Sequence, residues 1–379
     1  MNGSQLKPSN IKNGKIELLR FFFCISVLLF HECKYLLGEP SLKHGIHFAF
    51  FPHGSIGVEF FFVLSGFLMA KSAFSKLHSP SVPSSGSSER QDLTTPSRDY
   101  LSFLAHKYTS IFPQHIVAFF IAFFVYVVFS RFGILSAVKC FLDSIPNILL
   151  IQMSGISLSN PNHVEWYLSC MLIAMAILYP LCRRYYYTFT RCLAPLSALL
   201  ILGYLCYTTA SLTGVSTWMG LCYKSLLRAI AEIALGTTAF EFSRYLASRS
   251  FSKGQRLLLT LAEFALVLFS ALFILLTLSK QYEVYILAAV VLLISLCFSN
   301  VTYGTKGFNN PFVYYLGKLT LPIYLGQISA IRLVQHFLPG SSHRIQIVAA
   351  FLLALLLAQM ILLAAKALTT GFAKMRSHN

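Results

Sequence analysis

The chain has 379 residues, of which 56% are hydrophobic and 11% charged, and its mean hydropathy is +0.66. That excludes a soluble globular protein of this length, which would need far more polar surface. The formal charge of +17 does not indicate a nucleic-acid partner, because the Lys and Arg residues stand between apolar stretches and not in one aromatic-interleaved patch.

Apolar runs of about 18–25 residues recur along the chain, enough to cross roughly 30 Å of hydrocarbon. Runs this long and continuous predict helices. A barrel would show short alternating strands instead. The expected fold is all-α: a polytopic transmembrane helix bundle of about ten spans, forming a single membrane-embedded domain over 1–379. The spans are predicted at 16–37, 56–74, 114–132, 165–182, 193–211, 225–242, 257–279, 283–300, 316–338 and 345–368. The first is expected to be a retained helix, since no small-residue cleavage site follows it.

A weaker stretch at 138–153 contains Asp143 and Pro146 and is too short and polar to span, so it predicts an interfacial or re-entrant piece. Residues 75–99 are Ser- and Pro-rich, with a low-complexity centre at Ser79–Ser88. This composition predicts a flexible loop. Lys and Arg are concentrated in alternate loops, among them Arg183, Arg184 and Arg191, and Arg244, Arg249, Lys253 and Arg256. That asymmetry predicts an even number of spans and both termini in the cytoplasm. Nine Cys are scattered through the spans without metal spacing and read as small apolar fillers. No metal site is predicted.

The first span holds Arg20 and His31, eleven residues apart. At 100° per residue they fall within about 20° on one stripe, about 16 Å apart along the axis. Arg20 is expected near the cytoplasmic surface and His31 deep, toward the outer half. Each has a bland role open to it, a snorkelling Arg and an interhelical His. On one stripe they also suit chemistry: an Arg that holds a phosphorylated donor, and an imidazole that takes a proton from a hydroxyl.

The second span opens with Glu59 at a depth comparable to His31, where its carboxylate could orient the imidazole. Gly66 lies on the same face and would let a neighbouring helix approach closely. Trp166, at the mouth of the fourth span, reads as an interfacial belt residue, with stacking on an acceptor as the other role. His44, His47 and His53 read as solvated loop residues.

Arg20-x10-His31 followed by Gly57-Val58-Glu59-Phe60-Phe61-Phe62-Val63-Leu64-Ser65-Gly66-Phe67 resembles the membrane acyltransferase-3 family. Later stretches agree in order: His106-Lys107-Tyr108-Thr109-Ser110-Ile111-Phe112-Pro113, Trp166-Tyr167-Leu168-Ser169, and Leu316–Leu325 with Pro322 and Tyr324. The resemblance spans nearly the whole chain. Two departures stand out. Cys170 and Met171 follow the Trp-aromatic-Leu-Ser element where many members carry an acid, and Gln327 stands where many carry a His.

The resemblance implies a ten-helix integral membrane acyltransferase. It would transfer an acyl group, expected to be acetyl, from cytoplasmic acyl-CoA to a hydroxyl of a cell-surface or lipid-linked glycan. Acetyl-CoA is then a co-substrate, no cofactor is bound tightly, and the partners are acyl-CoA, the saccharide acceptor and the lipid bilayer. The expected location is the bacterial cytoplasmic membrane. Arg20, helped by Lys107, would anchor the donor; His31 would be the general base and Glu59 its orienting carboxylate. Ser65, Ser169, Trp166 and Tyr324 are auxiliary candidates, and both direct transfer and a transient acyl-enzyme stay open. A transporter or flippase, or a glycan polymerase of the envelope pathway, is the alternative. The first lacks support from paired broken half-helices, and the second from a large outer loop.

Overall fold

The computed structural model describes residues 13–38, 50–78, 91–156 and 159–377. Among them no strand forms; one isolated bridge joins Trp218 and Tyr223. The long helices are α1 (Gly14–Glu32), α2 (Gly57–Leu77), α3 (Gln91–Phe129), a short α4 (Ile134–Asp143), α5 (Trp166–Arg184), α6 (Ala194–Thr209), α7 (Lys224–Ala247), α8 (Lys253–Leu275), α9 (Glu283–Ser299), α10 (Pro311–Phe337) and α11 (His343–Ser377).

Seven of them are long and apolar enough to cross a membrane: α2, α3, α5, α6, α8, α9 and α11. The other three expected spans correspond to α1, α7 and α10, which are 19, 24 and 27 residues long. Their runs are diluted by charges such as Lys15, Glu17 and Arg20 in α1 and Lys224, Arg228 and Glu232 in α7. The bundle has an inner and an outer set of helices. Most of the apolar window of α2, α5 and α9 is buried, whereas α3, α6, α8 and α11 leave most of theirs outward. Leu199 on α6, Leu258 and Phe264 on α8 and Phe124 on α3 are all more than half exposed, which is tolerable only against lipid. The chain is a multi-pass membrane protein.

One expectation about loops changes. α2 continues through Leu77 and α3 begins at Gln91, so the ends of the supposed 75–99 loop are helical; its Ser-rich centre at 79–90 lies outside the described residues. The weak stretch at 138–153 falls on the end of α4 and two short turns at Ile145–Ile148 and Gln152–Ser154. The ten residues of α4 rise about 15 Å and cannot span.

Glycine sets the tightest helix contact. A Cβ on Gly66 of α2 would collide with the Ile233 carbonyl of α7, and one on Gly236 of α7 with the Val63 carbonyl of α2. The two backbones therefore touch, as small residues allow in membranes. The start of α2 lies equally close to α1, since a Cβ on Gly57 would meet the Phe23 carbonyl. At the N-terminal end of α1, the buried Lys15 ammonium donates to Glu263 Oε1 (2.7 Å), Thr302 Oγ1 (3.0 Å) and the Tyr303 carbonyl (2.6 Å). This fully satisfied cation ties α1 to α8 and the turn after α9.

Candidate active site

Two cavities open along α1, one toward each end. The first, about 390 Å³, is lined by Glu17, Arg20, Ser65, Lys71, Tyr167 and Thr320 among others. Arg20 is one-third exposed there. Its fork is held by Glu17 Oε2 at 2.8 Å and Thr320 Oγ1 at 3.2 Å. Glu17 sits one turn before Arg20 on the same helix, so the pairing is local.

The second cavity, about 640 Å³, is lined by His31, Lys34, His163, Trp166, Arg228 and Glu283 among others. Val58 and Tyr324 line both cavities. Tyr324 is fixed there: its hydroxyl donates to the Val164 carbonyl at 2.8 Å and its ring packs 5.7 Å from that of Tyr167.

His31 is half-buried in the wall of the second cavity, and its partner is Gln327 of α10, whose Oε1 lies 3.0 Å from Nδ1. The Gln327 amide nitrogen donates to the Tyr324 carbonyl at 2.8 Å, which fixes the amide orientation. An amide oxygen only accepts, so Nδ1 of His31 carries the proton and Nε2 keeps a lone pair. A neutral imidazole with a free Nε2 is the form a general base needs. Beyond Glu32, α1 widens into a π-turn at Cys33–Leu37, a distortion common at functional sites. This turn brings the Tyr35 ring 6.1 Å from that of His31 and its hydroxyl 2.8 Å from His163 Nε2.

Glu59 does not reach His31. Its carboxylate is fully buried and faces Arg228 of α7, Oε1 to Nη1 at 4.0 Å, and Arg228 Nε lies 3.3 Å from Glu232 Oε1. The expected orienting pair is therefore corrected: Gln327 orients His31, and Glu59 belongs to a buried cluster with Arg228 and Glu232. The reason is the stripe that Glu59 shares with Val63 and Gly66. Gly66 draws α7 onto that face of α2, so Glu59 points at α7 and away from α1.

Trp166 is also corrected. It is buried, 8% exposed, with its ring 5.4 Å from the Arg228 guanidinium carbon and 6.1 Å from Phe62, a cation–π contact and not a belt position. A 3₁₀ turn at His163–Glu165 holds it there. Asn162 Nδ2 donates to Glu165 Oε1 at 3.1 Å and to the Leu325 carbonyl at 3.1 Å, and Glu165 Oε1 lies 3.4 Å from His115 Nδ1.

The remaining candidates separate. Ser65 lines the first cavity, with Tyr167 Oη 3.4 Å and Met171 Sδ 3.3 Å from its Oγ, and no base bonded to it among the described residues. Ser169 Oγ accepts the Met153 N–H at 3.1 Å and is buried, so it pins a turn and faces neither cavity. Lys107 on α3 holds its ammonium 5.9 Å over the Phe103 ring and lines neither cavity. His53 is not solvated: it is buried, with Nε2 2.9 Å from the Leu278 carbonyl. His44 and His47 lie outside the described residues.

Reading the sequence singled out neither Arg228 nor Glu232, although an Arg and a Glu four residues apart inside an apolar run are a recognisable signal. It met Gln327 only as a departure from a pattern.

A family model described as an acyltransferase domain matches residues 13–363. The chain belongs to the acyltransferase-3 family. No curated protein and no solved structure matches it. In this acyltransferase the family match runs from α1 into α11 and so includes every residue of both cavities.

Proposed function

We propose that this acyltransferase moves an acetyl group from cytoplasmic acetyl-CoA to a hydroxyl of a cell-surface or lipid-linked glycan. The observation that carries the reading is the pair of cavities on one helix, with Arg20 in the first, His31 in the second and Val58 and Tyr324 lining both. The first would face the cytoplasm and receive the thioester arm of the donor, its phosphates drawn to Arg20 and Lys71. The second would face outward and receive the glycan. Both termini are then cytoplasmic, in the bacterial cytoplasmic membrane.

In the transfer, His31 Nε2 takes the proton of the acceptor hydroxyl as its oxygen attacks the thioester carbonyl. The carbon–sulfur bond breaks, and the CoA thiolate leaves and recovers the proton from the imidazolium. The ester oxygen is then the acceptor's own. Direct transfer is favoured over an acyl-enzyme because Ser65, the hydroxyl in the first cavity, has no base bonded to it among the described residues. Lys107 would assist the donor only from outside the cavity wall.

Purified protein incubated with acetyl-labelled acetyl-CoA and membrane glycan should give labelled ester and free CoA. A transporter, flippase or polymerase would give neither, and that outcome would overturn the reading.

A further inference from the structure

The second cavity has an unequal charge lining. Among the described residues its one carboxylate is Glu283, and its fixed cations are Lys34, Lys280 and Arg228. Glu283 is fully engaged by the segment Ser211–Thr213 that follows α6. It accepts the N–H groups of Leu212 (2.6 Å) and Thr213 (3.1 Å) and the hydroxyls of Ser211 (3.0 Å) and Thr213 (3.3 Å). Arg228 is engaged as well, by Glu59 and Glu232, neither of which lines the cavity.

Lys34 and Lys280 are different. Both are exposed in the cavity wall, and neither forms an ion pair among the described residues. Lys34 holds its ammonium 5.8 Å from the Tyr35 ring, beside the imidazoles of His31 and His163. A concave, low-dielectric wall with two uncompensated ammonium groups focuses a positive potential on whatever enters. Tyr35, Phe50, Phe51, Trp166 and Tyr223 supply apolar ring faces around the same space, the usual company of a few polar anchors in a ligand site.

We propose that the second cavity takes a saccharide carrying its own negative charge, a carboxylate or a phosphate, which Lys34 and Lys280 grip while a hydroxyl is presented to His31. An ammonium holds either group as a point charge. The part about the hydroxyl rests on the proposed function; the anion site does not.

Calorimetric binding to the purified full chain tests it with three probes. These are a short hexuronate oligosaccharide, its carboxyl-reduced neutral counterpart, and that neutral counterpart bearing a phosphate monoester. At low salt at least one charged probe should bind about ten-fold or more tightly than the neutral one, and the charged probe that wins identifies the source of the anion. The preference should shrink in added salt and collapse to about two-fold or less in Lys34→Gln/Lys280→Gln, while the melting temperature of that variant stays near wild type. Equal or tighter binding of the neutral probe, a preference that survives the double substitution, or no binding of any probe at millimolar concentration would each overturn the proposal. A charge preference in protein that transfers no acetyl group would sink the proposed function and leave the anion site standing. Acetylation of the neutral probe with no charge preference would do the reverse.

Discussion

Gln327 of α10 accepts the Nδ1 proton of His31 at 3.0 Å, and so decides which imidazole nitrogen is left basic. The two residues are 296 positions apart and meet only because α10 packs along α1. Replacing His31 with Ala should lower acetyl transfer by about 10²–10⁴-fold, the range for loss of a general base, with the protein still inserted and monodisperse. Replacing Gln327 with Leu keeps the volume but frees the ring to adopt the other tautomer. It should lower the maximal rate by about ten-fold or more and leave the acetyl-CoA concentration for half-saturation near normal. A well-folded His31→Ala variant with ordinary turnover would return this residue to a structural interhelical role.

Arg20 predicts a different kinetic signature. Its fork is oriented by Glu17 and Thr320, and it lines the first cavity, where the proposed function seats a donor phosphate. Arg20→Ala should raise the acetyl-CoA concentration needed for half-maximal rate and change the maximal rate little, because it removes binding common to ground and transition states. An unchanged donor dependence would move the donor away from this cavity.

The cluster of Glu59, Arg228 and Glu232 should matter first for folding. Arg228→Leu leaves two buried carboxylates with no cation, a loss of about 3–5 kcal/mol that should appear as a lower melting temperature in detergent. Replacing all three charges together, with Glu59→Gln and Glu232→Gln added, should recover most of that loss. If the triple variant melts no higher than Arg228→Leu, the cluster is not the reason for the instability.

Gly66 tests the close crossing of α2 and α7. Gly66→Leu places a side chain where the Ile233 carbonyl stands, so the helices must part and with them Glu59 and Arg228. Aggregation or loss of a monodisperse peak in size-exclusion chromatography is expected. A sharp peak with full transfer would show that the helices can separate without consequence.

Much of the bundle was legible in hydropathy. The run at 225–242 lies inside Lys224–Ala247 and that at 56–74 inside Gly57–Leu77, give or take a residue. The first half of α3 was missed because Arg98, His106 and Lys107 break its apolar run, although α3 packs there against α5 through Phe103 and Tyr179, whose rings stack at 3.8 Å. Within the site, the Arg20–His31 stripe follows from helical pitch alone. The partner of Glu59 does not: the pitch places Glu59 and Gly66 on one face, but only the tertiary arrangement says that α7 covers it. Trp166 was misread for a related reason. Its depth suggested a belt, and the cation that draws it inward lies 62 positions later on another helix.

Val58 and Tyr324 give the two cavities a shared wall. Each lines both cavities, so the shape of one cavity is tied to the shape of the other. A smaller side chain at either position would therefore enlarge both cavities at once. Tyr324, anchored to Val164 and packed on Tyr167, thus holds the shape of both at once.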